Sequence, residues 1–304
     1  MLYFDTVIIM KNKLRGTITL LFTTLIWGSA FIAQSVGMDY IGPMTFQAIR
    51  SALAVSFLFV VAFFFHKDKK NYFKSWADPR LWKAGITCGI SLFVASGLQQ
   101  VGLVYASVGK AGFITALYIV SVPIFGLFLH RKPSINAWIS VLIAVAGLYL
   151  LSWRGSGGVN FGDLCLLGSA ITYGIQIILI DLTASDFDGP HLNCIQSLVC
   201  GVLSALVMVF TETPTLPNII SCTIPLCYAG ILSMGVAYTL QIVGQKDLDP
   251  TPAALIMSLE SVFAALCGWL ILNERMTPSE LCGCALVFGA VILSQLPEKK
   301  KTHG

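Results

Sequence analysis

Charge is what this chain has least of. Only 11% of its 304 residues are Asp, Glu, Lys or Arg, against about 25% in a soluble domain, so it cannot wet a surface of its own in water. Several motifs are missing too. No nucleotide-binding loop, HExxH or GxSxG occurs, and no basic patch of the kind that grips nucleic acid. ATP-driven pumping, the commonest hydrolase chemistries and nucleic-acid partners are therefore without residues. No CxxC pair occurs among nine cysteines, and Cys282 and Cys284 stand about 200° apart around a helix, on opposite faces. The thiols read as small reduced packing residues, and no metal site or cofactor is expected. His66, His130, His191 and His303 all fall in short connections or the tail and read as solvated.

What the chain does have is apolar length. Hydrophobic residues make up 56% of it, with a mean hydropathy of +0.80. A bilayer-crossing helix needs about 20 mostly apolar residues, and ten such stretches follow one another: 16–36, 43–65, 82–104, 109–129, 134–151, 162–180, 191–210, 223–244, 252–272 and 278–296. Pro43, Pro133, Pro252 and Pro278 stand at or near span starts, where a missing N–H costs nothing. The expected fold is an all-α integral membrane protein of ten transmembrane helices, with connections too short for any extramembrane domain. Lys and Arg on the N-terminal side of the spans, from Lys11, Lys13 and Arg15 to Lys299, Lys300 and Lys301, number fifteen. Three lie opposite, Lys110, Arg154 and Arg275. The positive-inside rule then puts both termini in the cytoplasm of a multi-pass plasma-membrane protein. Segment 1–15 is read as cytoplasmic and 297–304 as a cytoplasmic basic tail. No small-residue cleavage site follows the first basic cluster early enough for a signal peptide. Met10 looks like an ordinary start, with residues 1–9 an upstream extension.

The chain also repeats itself. Residues 94–120 return at 236–262, shifted by 142 positions, with ten identities in 27 and no gap, where shared apolar composition gives roughly one in ten. Each unit, 16–151 and 162–296, holds five spans. Five is odd, so the second copy starts on the opposite side of the membrane and the two repeats are inverted. Such repeats bind substrate near the midplane and expose it alternately to the two sides.

Thr24-Leu25-Ile26-Trp27-Gly28-Ser29-Ala30-Phe31 resembles the opening of the drug/metabolite transporter superfamily, echoed by Ala170-Ile171-Thr172-Tyr173-Gly174. Pro252-Ala253-Ala254-Leu255, Ser258-Leu259-Glu260 and Leu272-Asn273-Glu274-Arg275 resemble its EamA branch, with Leu117-Tyr118-Ile119-Val120-Ser121-Val122-Pro123 the first-half counterpart. The branch usually reads Leu-Glu-Pro; here Ser261 follows Glu260, which removes the proline kink from span nine. The resemblance covers about 16–296. It implies ten helices, a central cavity lined mainly by spans 1, 3, 4, 6, 8 and 9, and export of small organic metabolites.

Two charges sit deep in the hydrocarbon. Arg50 lies about 10 Å from the outer face and Glu260 about 12 Å from the inner one at 1.5 Å per residue. At a cost of a few kcal/mol, each should face a cavity or a partner. Glu260 is a candidate amine contact or proton carrier and Arg50 a candidate carboxylate contact; the bland readings are a neutral packing group and a side chain reaching for the headgroups. Whether the two pair is left open. Glu260 aligns with Tyr118, and Gln241 with Gln99, at the offset of 142. Inversion expects Gln99 near the outer face and Gln241 near the inner one, positions suited to gates, with interhelical bonding as the plain alternative. Trp27, Tyr173 and Tyr238 supply aromatic-polar surface for a cavity wall.

The leading reading is a secondary carrier whose partners are a small-molecule substrate and the lipid bilayer, with a homodimer left open. A flippase of a lipid-linked molecule would want an opening toward lipid. A membrane-embedded transferase would need several His, Asp or Glu converging at one interface, and here they are scattered.

Overall fold

A computed structural model describes residues 2–65, 69, 72–152, 160–272 and 277–296. The expectations placed on His66, Lys67, Lys70, Arg154, Asn273 to Arg275, His303 and the tail 297–304 lie outside the described residues. Within them the chain is helical and without strands. The spans are α1 (Leu2–Met38), α2 (Pro43–Phe65), α3 (Pro79–Tyr105), α4 (Val108–Phe128), α5 (Ile135–Ser152), α6 (Phe161–Thr183), α7 (Gly189–Thr211), α8 (Thr223–Gln245), α9 (Pro250–Met257 continued by Leu259–Leu272) and α10 (Pro278–Gln295). Nine of these are long and apolar enough to cross a bilayer, and α5 is a shorter apolar helix. The helix of the first span runs back to Leu2, through the segment expected to precede the membrane.

Local chemistry sets the helix ends. Asp78 accepts from the Arg80 N–H ahead of Pro79, which starts α3. Asn160 and Asp163 form a reciprocal capping box that starts α6, and Thr277 with Glu280 starts α10 the same way, each box satisfying two orphan backbone donors. The carboxylate of Glu212, just past α7, caps α2 by accepting from the Met44 and Thr45 N–H groups at 2.8 Å each.

The inversion is visible in contacts that recur with their partners exchanged. Where α3 crosses α6, Gly102 meets Gly162, and a Cβ on Gly102 would stand 3.1 Å from the Gly162 carbonyl oxygen. Where α8 crosses α1, Gly244 meets Gly16, and the corresponding distance is 3.2 Å. These are equivalent positions, offset by 142 and 146, and they show why small residues flank the two glutamines: the backbones touch. Two turns away, Ser169 Oγ donates to Ala95 O at 2.7 Å, and Thr23 Oγ1 donates to Ala237 O at 3.5 Å. Likewise α3 on α7 is answered by α8 on α2. Helices α5 and α10, equivalents of one another, pack with Gly147 against Val287 and Leu151 against Gly283, which is an antiparallel register. Equivalent helices of opposite sense define an in-plane half-turn.

Ion pairs and caps sort the connections onto two sides. One side joins Arg15 to Asp247 (2.8 Å), Arg131 to Asp181 (2.6 Å) and Lys246 to Phe187 O (2.7 Å). The other joins Lys110 to Asp163 (2.7 Å) and Ser279 to Leu150 O (3.1 Å).

Two expectations are corrected here. Span nine is interrupted at Ser258 although Ser261 replaces the proline, because the Ser261 N–H bonds back only three residues, to Ser258 O (3.2 Å). His191 is buried, not solvated: it faces Ser75 Oγ at 3.1 Å and stacks on Trp76 with ring centroids 4.6 Å apart.

Candidate functional site

The interruptions of α4 and α9 fall at equivalent places and aim two side chains inward. In α4 the Leu117 N–H reaches Ile114 O (3.2 Å) and the Val120 N–H reaches Leu117 O (2.9 Å). Tyr118 follows the first break directly, and Glu260 lies two residues beyond the second. They meet directly: Tyr118 Oη donates to Glu260 Oε1 at 3.1 Å. Positions that aligned in the repeat thus touch across the pseudo-two-fold axis.

Around this contact lies a narrow pocket, about 30 Å³ of free space, lined by Trp27, Arg50, Gln99, Tyr118, Tyr173, Tyr238, Gln241 and Glu260, so the structure brings all eight sequence candidates together. Gly28 explains the position of Trp27. A Cβ there would stand 2.8 Å from Glu260 O, so glycine lets α1 close on α9 while the adjacent indole turns inward. The Trp27 ring lies 4.9 Å from that of Tyr238. Tyr238 and Tyr173 share a hydroxyl contact of 3.1 Å, and Tyr173 Oη donates to Gln99 Oε1 at 3.3 Å. Gln241 Nε2 donates to Gln176 Oε1 at 3.4 Å. Both glutamines line this one chamber.

Arg50 is 4% exposed and Glu260 5%, so neither side chain reaches headgroups. The guanidinium donates from Nη1 to Gln34 Oε1 at 2.7 Å and from Nη2 to Gln47 Oε1 at 2.6 Å, and lies 5.7 Å from the Phe46 ring centroid. Its escorts are neutral amides. Among the described residues no ion pair joins Arg50 to Glu260 or either of them to any other side chain. A guanidinium and a carboxyl with no ion-pair partner among the described residues therefore share one chamber. Trp27 Nε1, Arg50 Nε and Gln241 Oε1 are buried there without a hydrogen-bond partner.

Sequence reading missed Gln34, Gln47 and Asn193. Gln47 sits three residues before Arg50, a same-face spacing that flags it as an escort. Asn193, equivalent to Gln47 at the offset of 146, donates to Met234 O (2.9 Å), Gly235 O (3.0 Å) and Thr239 Oγ1 (2.9 Å). Its amide serves carbonyls of a widened, π-helical turn of α8, Tyr228–Ala237. Such turns recur at functional sites; the equivalent stretch of α3 is regular. Among the described residues no three His, Cys, Asp or Glu side chains group as metal ligands, and the nine cysteines are unpaired.

The family model described as the EamA-like transporter family matches residues 14–153 and 160–296. An uncharacterized transporter of Archaeoglobus fulgidus is 32% identical over 288 residues, covering 94% of this chain and 87% of that protein. The threonine/homoserine exporter RhtA of Escherichia coli strain K12 is 26% identical, with 91% and 90% covered. A solved crystal structure superposes with a TM-score of 0.77 over 92% of this chain and 96% of the other at 18% identity, a likeness of fold.

Proposed function

Because this chain belongs to the EamA-like transporter family, we propose that it is a secondary carrier exporting small organic metabolites, amino acids or related zwitterions, by alternating access. One observation carries the reading: Arg50 and Glu260 face the same chamber with no ion pair between them. A solute with a carboxylate and an amine completes both. Arg50 takes the carboxylate through the guanidinium edge that its amide escorts leave over, a charge-assisted contact. Glu260 takes the amine, or a proton when the solute has gone, which links export to proton entry. The aromatic wall of Trp27, Tyr173 and Tyr238 accepts the solute's apolar part. The relative named as a threonine/homoserine exporter supports this substrate class.

Inverted repeats supply the motion, since exchanging the conformations of the two units turns one facing state into the other. The basic side carrying Arg15, Arg131 and Lys246 is assigned to the cytoplasm, with the chain in the plasma membrane. The test is flux from loaded proteoliposomes across a panel of metabolites. Zwitterionic amino acids are expected to move, and their N-acetyl and amide derivatives, each lacking one charge, are expected not to. Equal flux of the derivatives, or flux of neutral sugars alone, overturns the reading.

A further inference from the structure

Helix α8 has two working faces. Tyr238 and Gln241 point into the chamber, while Val236, Leu240 and Val243, one stripe at helical spacing, line a separate groove of about 630 Å³ on the outside of the bundle. The opposite wall is Phe57, Leu58 and Val61 of α2. The groove starts at Lys246 and Arg15 and ends by Gly235, eleven residues back along α8 and so about 16 Å away at 1.5 Å per residue. That is half of a hydrocarbon core of about 30 Å: one leaflet deep.

The end of the groove at the basic side is amphoteric. Arg15 engages Asp247 through Nε and Nη2, which leaves Nη1 for a further acceptor, and its side chain is 64% exposed. Lys246 spends one of three donors on Phe187 O. Carboxylates stand beside these cations, Asp188 on the groove itself and Asp186 close enough to act on the Lys246 charge. A net-anionic headgroup would meet those acids; a phosphodiester with its own primary ammonium complements both signs.

We propose that this groove is a binding site for one glycerophospholipid with an ethanolamine headgroup, taken from the leaflet on the basic side. Its phosphate sits between Arg15 and Lys246, its ammonium sits toward Asp188, and one acyl chain lies along Val236, Leu240 and Val243. Bound there, the lipid braces the outer face of the helix whose inner face carries Tyr238 and Gln241. The substrate reading is not needed for this, because every groove residue lies outside the chamber.

Native mass spectrometry of the purified full-length protein tests the site, with equimolar palmitoyl-oleoyl phosphatidylethanolamine, phosphatidylcholine and phosphatidylglycerol offered in detergent. One ethanolamine lipid is expected to survive stripping that removes the others. The double variant R15A/K246A is expected to lower its occupancy at least tenfold. Leu240→Trp, which fills the groove without touching charge, is expected to displace it with an unchanged melting temperature. Equal retention of the three headgroups, preferential retention of the glycerol lipid, or wild-type retention in both variants overturns the proposal.

Discussion

Tyr118 and Glu260 hold the same place in their repeats, and one donates to the other at 3.1 Å. A hydroxyl opposite a carboxyl breaks the symmetry of the axis and leaves a single acid there. Removing the donor with Tyr118→Phe is expected to cost about 1 kcal/mol of stability, the usual scale of an interhelical bond in a membrane, and to slow transport more than it lowers the melting temperature. Paired thermal-melting and flux measurements separate the two effects. Arg50→Lys keeps a charge but loses the planar fork that spans Gln34 and Gln47. Folded protein with substrate KM raised at least tenfold and kcat changed less is the expected result; an unchanged KM removes Arg50 from recognition. Eight of the thirteen residues lining the chamber stood out in the sequence as intramembrane charges, repeat-aligned polar residues or aromatic-polar surface. Gln34 stayed hidden because its partner, Arg50, lies on another span and only packing brings them together.

At the scale of elements, three helices depart from regularity where they border the chamber: α4 at Leu117, α9 at Ser258, and α8 over Tyr228–Ala237. None of the three was legible. The α9 interruption occurs without the proline that would have announced it, and a π-turn leaves no period in a sequence that is apolar all round. The widened turn depends on Asn193, whose amide serves two carbonyls that α8 leaves over. Asn193→Leu is expected to destabilise by about 1–3 kcal/mol, the cost of leaving buried acceptors unmade. Hydrogen exchange in 228–239 is expected to rise more than in 86–97, the equivalent stretch of α3; equal protection in the two would detach Asn193 from the turn. The glycine crossings are tighter constraints. Gly102→Leu puts a side chain where the Gly162 carbonyl already lies, with an expected loss of about 1–3 kcal/mol from overpacking. A wild-type melting temperature would show that the helices stand further apart.

For the whole molecule, span number, inverted duplication and the basic side were readable because each follows from a long pattern: apolar length, a 142-residue offset and the distribution of Lys and Arg. Which residues meet across the repeats needed the structure, since an offset fixes equivalence and not distance. Surface ion pairs such as Arg15–Asp247 organise the ends of the bundle and contribute little to stability. With Arg15 largely exposed, Arg15→Ala is expected to cost less than about 1 kcal/mol. The chamber that holds Arg50 and Glu260 without an ion pair between them is where structure becomes function. Efflux of a zwitterionic amino acid from loaded proteoliposomes, compared between the wild-type protein and Glu260→Gln, tests that most directly. The amide keeps an oxygen to accept from Tyr118, so folding is preserved while the ionisable group is removed. A loss of at least tenfold in efflux at an unchanged melting temperature is the predicted result; wild-type efflux with wild-type pH dependence would contradict it.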